Sequence, residues 1–242
     1  MNRILTAACA ALLMAQAGAA IADEVTDKLA ARLAKLFPKD HISAITPAPL
    51  AGLYEVMIGA SLFYVSGDGR YVVHGDVIDI ENKVNVSDQR RALARKQVLA
   101  ELPADRYIEF PARQGKARRT LYVFTDIDCG YCRKMHGEVG KLNAGGIAVR
   151  YLAFPRTGLK GESFQKAAAV WCAADRQQAI TQAKLGKRVD SPECDSPVAE
   201  EFELGNAMGV TGTPAVYTEE GKHIGGYLPA EELIRMVDDG KL

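Results

Sequence analysis

Two cysteines set two residues apart, Cys129-Gly130-Tyr131-Cys132, sit where an apolar run gives way to a polar, helix-compatible one. The run before them, Leu121-Tyr122-Val123-Phe124, reads as a buried strand. The residues after them, Arg133 through Val139, continue as a helix. A strand that turns into a helix through a Cys-x-x-Cys pair is a dithiol redox site, and it commits this half of the chain to a strand–turn–helix unit. A cysteine at a helix start lies among backbone N–H groups that have no partner inside the helix, at the positive end of the dipole. Both favour the thiolate, which is the attacking form. A second cysteine three residues on is about one helical turn away. It can attack a mixed disulfide formed by the first.

Other chemistry fits the same residues less well. Zinc would take Cys129, Cys132 and His136 and still need a fourth ligand. Covalent haem attachment needs His directly after the second cysteine, where this chain has Arg133. An inert disulfide across so short a loop constrains the unfolded chain little.

Residues 1–22 carry Arg3, then an apolar stretch from Ile4 to Ala20, and end in the small-x-small pattern Ala20-Ile21-Ala22. That is a secretory signal peptide, with cleavage expected after about Ala22. Cys9 leaves with it, and Cys129, Cys132, Cys172 and Cys194 remain. An even number of cysteines suits an oxidising compartment. No other segment is long and apolar enough to span a bilayer. Lysines and arginines balance aspartates and glutamates, 30 against 30, so charge gives no reason to propose nucleic acid as a partner.

The N-terminal half, residues 23–86, opens with helical spacing at Val25, Leu29, Leu33 and Leu36, closed by Pro38. Short apolar runs follow at Ile42–Ile45, Leu53–Ile58, Ser61–Val65, Arg70–His74 and Val77–Ile80, separated by Gly, Pro and Asp. They predict an antiparallel meander behind one helix. A unit of this size has a thin core. It could pair an edge such as Tyr71-Val72-Val73 or Val77-Ile78 with a second copy, or dock on the rest of its own chain. Residues 87–103 return to helical character with few large apolar side chains, which suits an exposed linker helix ended by Pro103. The basic run Arg113–Arg119 reads as a solvated face and turn.

The last part of the chain covers residues 104–242, and from Leu121 to Leu242 strands alternate with helices, the α/β signature. A second strand covers Ile147–Phe154, and helices cover Phe164–Ala174, Gln177–Leu185 and Glu201–Met208. A bond between Cys172 and Cys194 would close a loop of about 20 residues and contribute roughly 3 kcal/mol in the chain-entropy estimate. A second redox relay is the competing reading, but that pair lacks a helix-start motif. Thr213-Pro214 precedes the apolar Ala215-Val216-Tyr217. A cis bond there would leave the Thr213 backbone free to pair with an extended substrate beside Cys129. Taken alone, a trans proline that merely starts a strand explains the dipeptide better, because cis bonds are rare.

Together these residues resemble a known family. Phe124-Thr125-Asp126-Ile127-Asp128-Cys129-Gly130-Tyr131-Cys132, Tyr151-Leu152-Ala153-Phe154-Pro155-Arg156, Gly212-Thr213-Pro214-Ala215-Val216 and Trp171-Cys172-Ala173 are similar to the periplasmic disulfide isomerases of the DsbC type. The resemblance implies an α+β chain. Its parts are an N-terminal cystatin-like dimerisation domain, a linker helix and a C-terminal thioredoxin-fold domain with a helical insertion. It implies a V-shaped homodimer whose cleft holds misfolded, disulfide-containing exported proteins, and a membrane reductase of the DsbD type as partner. It makes Cys129 the exposed nucleophile, Cys132 the buried resolving thiol, Gly130, Tyr131 and Thr213 their neighbours, Pro214 a cis-proline, and Cys172 and Cys194 a structural disulfide. The activity it implies is isomerisation of wrong disulfides, with chaperone capacity. A thiol oxidant or reductase on the same fold, or a holdase with incidental cysteines, is the alternative. No cofactor or metal is called for, because the cysteines are the redox centre. Asp128 departs from what a thiolate prefers, since its charge next to Cys129 opposes ionisation.

Overall fold

The computed structural model describes residues 24–36, 42–113 and 115–242. The expected signal peptide over 1–22, with Arg3 and Cys9, and the helix stop at Pro38 lie outside the described residues. The chain divides into two compact units, Met1–Ser87 and Asp88–Leu242.

In the first unit, helix α1 (residues 24–36) buries Leu29 and Leu33, one turn apart, and leaves Leu36 exposed. Strands β1 (Ile42–Pro47), β2 (Leu53–Ile58), β3 (Ser61–Ser66) and β4 (Val72–Val73) form an antiparallel sheet in sequence order. Ile58 pairs with Ser61, so β2 and β3 turn through two residues, and Gly59 takes φ +58° there, which a side chain would resist. Leu29, Leu33, Val56 and Val65 make the core. The meander is shorter than the sequence pattern predicts. Residues Val77–Ile80 do not extend it. Instead β5 (Ile78–Asp79) pairs with β6 (Val84–Asn85) in a sheet of their own. The reason is local. The Asp79 carboxylate accepts hydrogen bonds from the backbone N–H of Glu81 and Asn82, which turns the chain back at once.

The second unit begins in α2 (Val86–Ala100). This helix is not the wholly exposed rod that its composition suggests. Leu99 and Arg95 are buried. Arg95 donates to the Met208 carbonyl and to Asp88, and its guanidinium lies 5.3 Å from the Tyr217 ring centre. An arginine stem covers apolar surface as a hydrocarbon does, so a stripe poor in Leu and Val still packs.

Next come β7 (Ile108–Phe110), β8 (Arg119–Thr125), α3 (Gly130–Gly137), α4 (Val139–Ala144), β9 (Ile147–Ala153), α5 (Glu162–Cys172), α6 (Arg176–Lys184), α7 (Val198–Ala207), β10 (Ala215–Thr218), β11 (His223–Gly225) and α8 (Ala230–Asp238). The five strands form one sheet in the order β11-β10-β8-β9-β7, with β8 and β9 parallel and the other pairs antiparallel. Side chains alternate across it. Leu121 and Val123 join the main core with Trp171, Ile180 and Leu233 from the helices. Tyr122 and Phe124 point the other way. Tyr122 donates to the Leu99 carbonyl of α2, and Phe124 packs on Phe154 and Tyr217 beneath Gly205 of α7. A Cβ at Gly205 would meet the Phe154 ring at 2.5 Å, so only glycine lets this helix down onto the sheet.

The helix after the cysteines breaks at Glu138 rather than running on. That carboxylate accepts from the Tyr227 hydroxyl and from the backbone N–H of Ala230, the first residue of α8. The break thus places a negative charge at another helix start. Among the described residues no helix is long and apolar enough to cross a membrane.

Candidate active site

Strand β8 ends at Thr125, and the turn Asp126–Asp128 carries the chain to Cys129, which caps α3 in an extended conformation with φ −78° and ψ 122°. Asp126 holds the turn. Its buried carboxylate accepts from the backbone N–H of Asp128 and Arg156, from the Arg156 guanidinium at 3.1 Å and from the Ser163 hydroxyl at 2.6 Å. Burial opposes its charge, but these donors outweigh burial and keep its pKa below the ordinary carboxylate value. The Cys129 carbonyl accepts the N–H of Arg133, which starts the helix.

The two thiols differ. Cys129 is 3 % exposed, so it is not the open nucleophile that the resemblance implies. Its Sγ lies 3.1 Å from the Thr213 carbonyl, to which the thiol donates. The neighbouring Thr213–Pro214 bond is cis. Burial pushes the Cys129 pKa up, but Thr213, the backbone N–H and thiol of Cys132, and the charge of Arg156 together bring it below its ordinary value. The Thr213 hydroxyl is buried without another partner, so it is free to donate to a thiolate. Cys132 is shifted the other way. Burial raises its pKa, against the pull of Lys184, the Asp126 backbone, Thr125 and Thr213.

The surroundings refine the sequence reading. Asp128 does not act alone on Cys129, because Arg133 at 3.2 Å and Lys166 at 3.0 Å neutralise it. His136 is committed elsewhere, with one ring nitrogen on the Tyr151 hydroxyl and the other on the Thr181 hydroxyl. It is therefore not placed to complete a metal site with the cysteines. Gly130 opens α3 with nothing near its missing side chain, and Tyr131 is 65 % exposed and stacked on Tyr227. Cys172 and Cys194 are bonded to each other, Cα to Cα 5.7 Å. The basic run contributes structure. Arg118 pairs with Asp238 and donates to the Gly145 carbonyl, and Arg119 donates to the Leu242 carbonyl.

Thr125 and Arg156 lie in segments that carry the resemblance, but the cysteine motif by itself assigns no role to them or to Lys184. Arg156 had a usable signal. It follows a strand parallel to the one that delivers the cysteines, and parallel neighbours bring their ends to the same edge. Lys184 had none, being one lysine on a polar helix.

Known proteins agree with this layout. Residues 16–88 match the family described as disulfide bond isomerase protein N-terminal domain, and residues 111–241 match the thioredoxin-like domain. The chain is 35% identical over 235 residues to the thiol:disulfide interchange protein DsbC of Escherichia coli (strain K12), covering 94% of this chain and 93% of that one. It is 33% identical over 239 residues to DsbC of Haemophilus influenzae, covering 99% of each. Among solved structures, a linker-deletion variant of Proteus mirabilis ScsC aligns with a TM-score of 0.51 at 19% identity, over 64% of this chain and 84% of that one, a likeness of fold. With an N-terminal isomerase-family unit and a thioredoxin-like unit on one α+β chain, the protein belongs to the DsbC family of thiol:disulfide interchange proteins.

Proposed function

We propose that this is a periplasmic protein disulfide isomerase in which Cys129 attacks and Cys132 resolves. The observation that carries the reading is geometric: two free thiols one helical turn apart at the start of α3, with Cys129 Sγ 3.1 Å from the Thr213 carbonyl beside the cis Thr213–Pro214 bond. The Cys129 thiolate attacks a substrate disulfide, forms a mixed disulfide and expels one substrate thiolate. That thiolate, or another in the substrate, then attacks the mixed disulfide, which forms a new pairing and regenerates Cys129. If rearrangement stalls, the Cys132 thiolate attacks Cys129, releases the substrate and leaves an enzyme disulfide. Two electrons from a membrane reductase of the DsbD type return the pair to thiols. Thr213 offers its backbone to an extended substrate beside Pro214.

Residues 23–86 serve as the dimerisation domain, 87–103 as a linker helix and 104–242 as the catalytic domain. Support for a homodimer lies in the apolar side chains that the first unit leaves exposed, Tyr71, Val72, Val73, Ile78 and Ile80, around its short β4 edge. Two sites on one dimer hold an unfolded chain by many weak contacts and raise the local thiol concentration, which also gives chaperone capacity. Export by the signal peptide places this chemistry where disulfides form.

Reactivation of a scrambled multi-disulfide protein in glutathione buffer tests the reading. Recovery should depend on Cys129 and vanish in Cys129→Ser. Fast oxidation of reduced substrate with no recovery of scrambled substrate would make it an oxidant instead.

A further inference from the structure

We propose that a cationic cleft beside the redox turn binds an acidic segment of the polypeptide whose disulfide Cys129 attacks. The inference deepens the reading of Cys129 as the nucleophile and rests on it. The cleft has a volume of about 510 Å³, the size of a small-ligand site. One wall is the redox turn itself, Ile127 and Asp128, directly before Cys129, with Arg133 from α3. The helical insertion makes the other. Helix α5 supplies Lys166 and Ala169, and α6 with the residues after it supplies Ala183, Lys187, Arg188 and Val189. The cleft shares no lining residue with the groove at Thr213 and Pro214. It is thus a second place at which this site can hold a polypeptide.

Four cations line the cleft, Arg133, Lys166, Lys187 and Arg188, against one carboxylate, Asp128. Two of the cations are held in place. Arg133 donates through Nε to the Ile127 carbonyl at 3.0 Å and through another nitrogen to Asp128 at 3.2 Å. Lys166 donates to both Asp128 oxygens, at 3.1 and 3.0 Å. One carboxylate between two cations leaves a net positive charge next to the redox turn, and the exposed Lys187 and Arg188 add to it. Glu162 and Asp190, which do not line the cleft, pair with Lys166 at 3.6 Å and with Arg188 at 2.8 Å, and the balance stays positive. Ile127, Ala169, Ala183 and Val189 give much of the remaining lining an apolar character. The combination suits glutamate or aspartate on an extended chain. The carboxylate meets the charges while the hydrocarbon beside it lies on apolar surface. Charge of this kind speeds encounter, so it collects acidic segments near Cys129 and raises the rate of attack, and salt weakens it.

The test uses the full chain, reduced, and two peptides with the same internal disulfide, one flanked by glutamates and the other by glutamines. Rates of peptide reduction are read by acid quench and mass spectrometry, each divided by the rate of the same peptide with dithiothreitol. In the native chain the acidic peptide should react about tenfold faster at low salt, and the ratio should shrink toward one as ionic strength approaches about 1 M. Lys187→Glu with Arg188→Glu should bring the ratio to one or below. Both side chains are exposed, and a ratio of rates cancels any general loss of activity. Arg235→Glu with Lys241→Glu makes the same change of charge on exposed residues that do not line the cleft, and should keep most of the preference. Equal rates for the two peptides in the native chain, a preference kept in the cleft variant, or an equal loss in both double variants would overturn the proposal. Cys129→Ser separates this from failure of the reading beneath it. If that variant reduces both peptides at the native rate, Cys129 is not the nucleophile, and the proposal falls with it.

Discussion

The two units of this chain answer the same demand, burial of apolar surface, in different ways. The second unit closes both faces of its sheet with its own helices, one face through Trp171, Ile180 and Leu233, the other through Phe124, Phe154 and Tyr217. The first unit has one helix, a core of Leu29, Leu33, Val56 and Val65, and a row of exposed apolar residues from Tyr71 to Ile80. The contrast teaches where each can carry function. A reactive thiol pair needs a fixed surrounding, and only a filled core keeps two sulfurs, a threonine and a lysine in place. A unit with a thin core is better suited to meeting another surface, because its unburied side chains gain from being covered.

Core truncation should separate the units most. Trp171 is fully buried and its indole N–H donates to Glu201 at 2.7 Å. Trp171→Ala should cost the second unit about 4 kcal/mol by loss of transfer energy and by the cavity left behind. Leu33→Ala removes one of the four buried side chains of the smaller core and should cost about 3 kcal/mol. Because a unit of that size has little stability to spare, the smaller loss should do the greater damage. Hydrogen exchange measured unit by unit checks this. Protection in the first unit should collapse in Leu33→Ala, and protection in the second should fall only partly in Trp171→Ala.

The disulfide belongs to the second unit and spans a sequence separation of 22. Replacing Cys172 and Cys194 by serine together should lower that unit's unfolding free energy by about 3 kcal/mol in the chain-entropy account. The first unit should not change. Chemical denaturation followed at both units distinguishes this from a global effect.

His136 gives the second unit an acid limb. Burial, then the charge of Lys184, lowers its pKa from 6.5 to about 4. In the folded chain the ring stays neutral between those values, while in the unfolded chain it takes a proton. Through this ring alone the unfolded state binds more protons across that window, which lowers stability by about 3 kcal/mol as pH drops from about 6.5 toward about 4. Glu201, raised by burial to about 8, acts in the opposite direction above its ordinary 4.5. His136→Gln, which keeps a hydrogen-bonding tip, should flatten this limb of the stability–pH curve. A curve that keeps its slope would show that His136 does not set it; Asp126, whose pKa lies below 3.8, acts only at lower pH.

Patterns that act within a few residues were legible in the sequence. The turn into α3 and the strands around Leu53–Ile58, Ser61–Val65, Leu121–Phe124 and Ile147–Phe154 all follow from neighbours along the chain. What was not legible depends on distant partners. β7 is three residues between a tight turn and a proline, and it exists because β9 offers an edge, Ile108 to Tyr151. The neutralisation of Asp128 needs Lys166, from another helix. The contact of Lys184 with Thr125 links residues 59 apart, and nothing in the composition of α6 marks that lysine among the others. The same division explains the error over α2. A helix with few large apolar residues reads as exposed until the aromatic face that receives Arg95 is in view.

The smallest expected effect probes that division directly. Asp126 and Asp79 both hold turns through their carboxylates. Asp126 is buried and takes donors from Arg156 and Ser163, far along the chain, whereas Asp79 is only half-buried and takes donors from Glu81 and Asn82 beside it. Asn in place of Asp79 keeps an oxygen for the same backbone N–H groups, and water screens the charge that is lost. Asp79→Asn should therefore leave the thermal unfolding of both units unchanged within measurement. Asp126→Asn should destabilise the second unit visibly, because the Arg156 guanidinium and the buried Ser163 hydroxyl lose their anion. Equal effects of the two substitutions would mean that the β5–β6 hairpin supports the first unit far more than its exposed setting provides for, and the contrast between local and distant turn supports would have to be abandoned.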